Sequence, residues 1–230
     1  MRPRLAALLL ACTLTSTAAA EGFDLGHFAI AVHDALAADK AGAWRDVPWQ
    51  EDADAALAGS ARTGKPLFVF VFITVDGRLA GETGPQCCFG GRATRGTSLS
   101  DQRVIDRLRR DFVCLALDCK AMGFPAAMPG LRLCQQVYEG WADPTKGFSA
   151  ACVLTPDGRH LMGTSGAGTI ARYRESICYD PAKYARFLAE SLDRATRWAA
   201  ADATGRAAIG GEVWRSVLAT NTADGFAARE

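Results

Sequence analysis

Three apolar runs stand out against the polar pattern of the chain. Residues 66–74, PLFVFVFIT, are an almost unbroken β-branched and aromatic stretch. Such a run predicts a strand buried on both faces. Phe112 to Leu117, closing at Asp118, predicts a second strand, and Ala150 to Leu154 a third. Helical spacing fills the intervals. Asp52 is placed to cap a helix running to about Thr63, with Ala55, Ala56, Leu57 and Ala61 along it. Gly64 suits the left-handed stop, and Pro66 forbids continuation. Ser100 and Asp101 open a short helix with Val104, Ile105 and Leu108 on one side. Pro156-Asp157-Gly158 is a hairpin signal, and the chain returns through His160-Leu161-Met162. Asp180 caps a further helix with Pro181 at its first position. Tyr184, Phe187, Leu188, Leu192, Ala195 and Trp198 then repeat at helical spacing.

Other stretches are less regular. Residues 23–45 fit either a helix or an irregular leader, and Trp44 and Trp49 predict a docked turn. Residues 75–100, with Cys87-Cys88, form a long connection of the kind that is often functional. A second connection, 119–147, holds Cys119, three prolines and Cys134, with a helical turn expected around Leu131 to Tyr138. Gly163 to Gly168 reads as a flexible loop. From Ala199 onward the tail is Ala- and Gly-rich, with one short helix expected around Trp214 and Leu218. The succession of strand, helix, strand, hairpin and final helix predicts an α/β domain with a central mixed sheet and helices on its faces. The parallel pair, 66–74 and 112–117, calls for a right-handed crossover helix.

The N-terminus changes the picture of where the protein works. MRPR, an apolar LAALLLACTL and a small-residue TSTAAA form a secretory signal peptide, cut after Ala20. The apolar run is too short for a membrane span, and no other stretch is apolar for long enough. A minority reading takes Leu9-Leu10-Ala11-Cys12 as a lipobox, which places a lipid anchor at Cys12. The expected layout is therefore 1–20 signal peptide, 21–43 leader, 44–198 domain and 199–230 C-terminal extension. The formal net charge is +1, and −1 without residues 1–20, which carry Arg2 and Arg4. That balance gives no electrostatic case for nucleic acid or an anionic membrane. The protein is expected in the periplasm or secreted.

Several segments together carry a family resemblance. Trp49-x-x-Asp52, the Ala-rich helix and Gly64-Lys65-Pro66 resemble the opening of thioredoxin-like domains. Val104-Ile105, Leu108 and Phe112-Val113 through Asp118 resemble a second segment of the same proteins. Gly147-Phe148-Ser149 with Val153-Leu154-Thr155-Pro156-Asp157-Gly158 is similar to their Gly-Trp-Pro…Leu-Thr-Pro-Asp-Gly segment. The resemblance covers roughly 44–198 and implies a thioredoxin-like three-layer α/β/α fold. Redox members carry Cys-x-x-Cys after the first strand and a cis-proline before the third. Here Cys87 and Cys88 are adjacent, Ser149 stands at the proline position, and the loop from Asp76 to Gln86 is extended.

The eight cysteines include Cys12, which leaves an odd seven after signal removal. In an oxidising compartment these are disulfide candidates. Exchange chemistry needs an attacking thiolate and a resolving sulfur. Cys87 and Cys88 are the candidates for those roles, with Ser149 beside them as the resemblance implies. A helix N-terminus would lower the attacker's pKa. The nearest expected helix starts near Ser100, so Arg92 and Arg95 are the expected source of positive potential. The competing reading is that Cys87 and Cys88 bond to separate cysteines and staple the loop. Cys114 and Cys152 read as small buried hydrophobes. Cys119 and Cys134 could close a loop of about 15 residues, contributing about 3 kcal/mol. Cys178 is a candidate to join Cys88 or Cys134.

No metal or cofactor is predicted. The cysteine spacing lacks a zinc pattern, and His27, His33 and His160 are isolated. A nucleophile elbow and a phosphate-binding glycine loop are both missing. Two functions compete. One is thiol–disulfide exchange through Cys87 and Cys88, with exported protein or peptide thiols and disulfides as partners. The other is a non-catalytic thioredoxin-fold binding module with structural disulfides.

Overall fold

The computed structural model describes residues 25–50, 52–72, 89–118, 123–132, 150–166 and 176–223; for 25–30, 89 and 220–223 it describes the backbone only. The expected signal peptide and Cys12 lie outside these residues. Helix α1 (Leu25–Ala41) resolves the leader as helical. It ends at Gly42, whose φ of 82° is the left-handed conformation glycine adopts without strain. A 3₁₀ turn (Ala43–Asp46) carries Trp44 and leads to β1 (Trp49–Gln50). In α2 (Ala53–Thr63) the Asp52 carboxylate accepts from the Ala55 N–H at 2.7 Å, and Gly64 ends the helix at φ 68°. Both follow the cap chemistry of the sequence.

The first apolar run is β2 (Leu67–Phe72), buried along its whole length. After it come α3 (Phe89–Gly96), α4 (Gln102–Asp111), β3 (Val113–Asp118), β4 (Ala150–Leu154) and β5 (Leu161–Thr164). Two longer helices follow, α5 (Pro181–Ala200) and α6 (Ala203–Ala223). The strands form one mixed sheet in the order β1-β3-β2-β4-β5. β1, β3 and β2 run parallel, whereas β4 is antiparallel to β2 and β5 to β4. The three predicted strands are therefore neighbours.

Side chains alternate between the two faces of the sheet, and helices cover both. Leu67, Val69 and Val71 join Leu115, Leu117, Cys152 and Leu154 on the face that packs against Ala56 of α2 and Val213 and Val217 of α6. Phe68, Phe70 and Phe72 join Cys114 and Val153 on the other face, against Leu108 of α4 and Tyr184, Phe187 and Leu188 of α5. Phe70 stacks on Phe72 with ring centroids 5.5 Å apart. Each such aromatic contributes about 1.5–3 kcal/mol by leaving water.

Three expectations change. The 75–100 connection contains α3 and a 3₁₀ turn (Ser98–Ser100), so nearly half of it is not loop. The tail contains α6, whose Ile209, Val213 and Val217 are buried at four-residue spacing. The Gly163–Gly168 stretch begins inside β5, where Gly163 lies against α5: a Cβ there would come within 2.1 Å of Ser191 Oγ. The expected turn around Leu131 is helical at 129–132, and its remainder lies outside the described residues. Among the described residues no helix is long and apolar enough to cross a membrane.

Candidate functional site

The candidate site is the end of the sheet where β2 and β3 finish and β4 begins. The register puts Phe72 opposite Asp118, and Val71 opposite Ala150. β5 ends there too, because the Ser165 N–H donates to the Ala151 carbonyl at 2.9 Å. In open α/β sheets this end, at a change of strand order, is where ligands usually bind. Cys87, Cys88 and Ser149 lie outside the described residues, as do Cys119 and Cys134. Their neighbours in the chain do not. Phe72 closes the strand before the cysteine pair, α3 starts at the residue after Cys88, and β4 starts at the residue after Ser149.

Hydrogen bonds and packing bring α3 to the same end. Ser165 Oγ accepts from the Ala151 N–H at 2.8 Å and donates to the Gly166 carbonyl at 3.0 Å. It lies 3.3 Å from Cys178 Sγ, and that thiol donates to the Gly166 carbonyl at 3.5 Å. Cys178 and Tyr179 share a small buried cluster with Ala93 of α3 and Ala35 of α1. The two candidate partners for a bridge from Cys178, Cys88 and Cys134, lie outside the described residues. Asp118, buried at the end of β3, adds a carboxylate to the same end of the sheet.

The start of α3 at Phe89 corrects the expectation that the nearest helix begins near Ser100. Sequence reasoning passed over it because FGGRATRG carries no apolar stripe. The arginines have a partner on α1. Arg95 Nε donates to Asp39 Oδ1 at 2.7 Å, and its Nη2 reaches Oδ2 at 3.2 Å. Arg92 Nε donates to Asp39 Oδ2 at 3.2 Å. One α1 carboxylate thus engages both guanidinium groups, which leaves the cluster with one net positive charge. The Arg95 guanidinium also lies 4.8 Å from the Trp44 ring centroid, on which Arg45 stacks at the same distance. Trp44 Nε1 donates to the Asp39 carbonyl at 3.3 Å. The missed signal was long-range: Asp39 lies more than fifty residues from either arginine.

Cys114 and Cys152 are buried in the sheet as expected. Burial pushes the Cys114 thiol far above its usual pKa, with Lys65 opposing weakly. It stays protonated, which removes it as a nucleophile. Burial likewise raises the Tyr184 hydroxyl well above the usual phenol range, and Cys178, Cys152 and Cys114 act in the same direction. His33 is exposed beside Asp34, and the His160 ring lies 4.6 Å from that of Trp198. No group of three or more His, Cys, Asp or Glu among the described residues is arranged to hold a metal. A shallow cleft between α5 and α6 is lined by Glu190, Asp193, Arg194, Arg197 and Glu212, whose charges pair with one another.

Comparison with known protein families, with curated proteins and with solved structures returned no match.

Proposed function

We propose that this chain is an exported thioredoxin-like protein, periplasmic or secreted, that exchanges thiols and disulfides through Cys87 and Cys88. One observation carries the reading. The three runs that bear the resemblance are adjacent strands, and β4 begins, one residue after Ser149, at the end of the sheet where β2 finishes. The start of α3 one residue after Cys88 supports it, because the positive end of a helix stabilises a nearby thiolate.

In the proposed step the Cys87 thiolate attacks one sulfur of a substrate disulfide. A mixed disulfide forms and one substrate thiolate leaves. The Cys88 thiolate then attacks Cys87 Sγ, which releases the second substrate thiol and closes a Cys87–Cys88 bond. Two electrons pass from the pair to the substrate. Adjacent cysteines close a strained ring, and a strained disulfide is easily reduced again.

The engagement of Arg92 and Arg95 by Asp39 favours the second reading, a non-catalytic binding module. Insulin reduction with mixed-disulfide trapping separates the two. The redox reading expects activity in the wild type, none in Cys87→Ser, and a trapped mixed disulfide in Cys88→Ser. Equal turnover in all three proteins removes it.

A further inference from the structure

We infer that α1 is a releasable strap over α3, held by the Asp39–Arg92–Arg95 cluster, whose release opens the buried Cys178 to solvent while the sheet stays folded. Three observations carry this. First, among the described residues α1 packs on α3 and on the turn at 43–46, and on no strand to a comparable extent. The sheet clusters contain no α1 residue among the described side chains. Among the described side chains, the apolar seam between α1 and the rest is the small cluster of Ala35, Ala93, Cys178 and Tyr179.

Second, the centre of that seam is ionic. Asp39 is 6% exposed and holds two guanidinium groups, with Trp44 stacked on one of them. A buried ion pair adds little over an apolar contact of the same size, but removing one partner strands a charge. A seam of this kind is therefore sensitive to a single lost group. Third, the helices cross closely. A Cβ at Gly96 would come within 1.8 Å of the Ala35 carbonyl oxygen, so α1 docks in one position or not at all. Gly42, in the left-handed conformation, supplies the joint on which α1 ends.

Cys178 reports the opening. It is fully buried in the seam cluster, whereas Cys114 and Cys152 are buried in the sheet and report global unfolding. The experiment is peptide-resolved alkylation kinetics on the mature chain and on Asp39→Asn. Asp39→Asn is expected to raise labelling of Cys178 by roughly tenfold or more, as local opening becomes cheaper. Cys114 and Cys152 keep their wild-type rates. An unchanged rate at Cys178, or a rise at all three cysteines together, overturns the strap.

Hydrogen exchange on the wild type provides a second test that needs no variant. Backbone amides of residues 32–41 are expected to exchange before those of β2 and β4. Exchange of α1 and the sheet in one common event also overturns the proposal. Neither readout depends on turnover by Cys87 and Cys88, so the strap and the redox reading fail separately.

Discussion

Asp101 starts α4 with one carboxylate, which accepts from the Arg103 N–H at 3.0 Å and from the Arg103 guanidinium at 2.8 Å. The side-chain hydrogen bond from Arg103 is the main reason its pKa lies below the usual value. The folded state therefore prefers the ionised form. Its contribution is complete above the unfolded value, near pH 4, and fades as the pH falls through the lower folded value. Asp101→Ala is expected to cost about 1 kcal/mol near pH 7, as lost helix caps do. Urea melts of both proteins should converge as the pH drops below about 4, where the carboxylate becomes an acid. Caps such as Asp52 and Asp180 were legible because donor and acceptor lie within three residues. The pairing of Asp39 with Arg92 and Arg95 was not, since only the folded chain brings them together.

Helices were legible in proportion to their apolar periodicity. α4 repeats Val104, Ile105 and Leu108, and α5 repeats Tyr184, Phe187 and Leu188, all facing the sheet. α3 has no such stripe because it binds α1 through charge and close backbone approach. α6 has a thin one: Ile209, Val213 and Val217 lie among alanines, glycines and the exposed Trp214 and Leu218. The four-residue spacing was present in the sequence and was outweighed by the Ala- and Gly-rich composition. The burial makes a clear demand. Val217→Ala removes two methyl groups from the face shared with Leu154 and Leu161, and is expected to cost roughly 2 kcal/mol. Arg215→Ala, two residues away on the exposed side, is expected to stay within about 0.5 kcal/mol. Equal effects in chemical denaturation would mean that α6 does not cover the sheet.

At the scale of the molecule, β2 is the axis around which both cores are built. Phe70 touches Phe72 and Trp49, and lies on the face covered by α4 and α5. Phe70→Ala is expected to lower unfolding stability by about 3–5 kcal/mol in a urea titration. That the three central strands were readable and β1 was not has one cause. A strand buried on both faces writes a continuous apolar run, while two residues at a border write none. The candidate site was readable only through its flanks, because the residues that would do the chemistry lie between the elements that periodicity detects. The borders themselves have a consequence for life in a crowded compartment. On one side β1 is two residues long and follows Pro48, which has no N–H to offer. On the other, α5 and α6 lie against β5, and the Arg194 guanidinium already donates to the Met162 carbonyl at 3.1 Å. Among the described residues neither margin offers a neighbouring chain a long ladder to extend, which guards copies of this protein against zipping together edge to edge there.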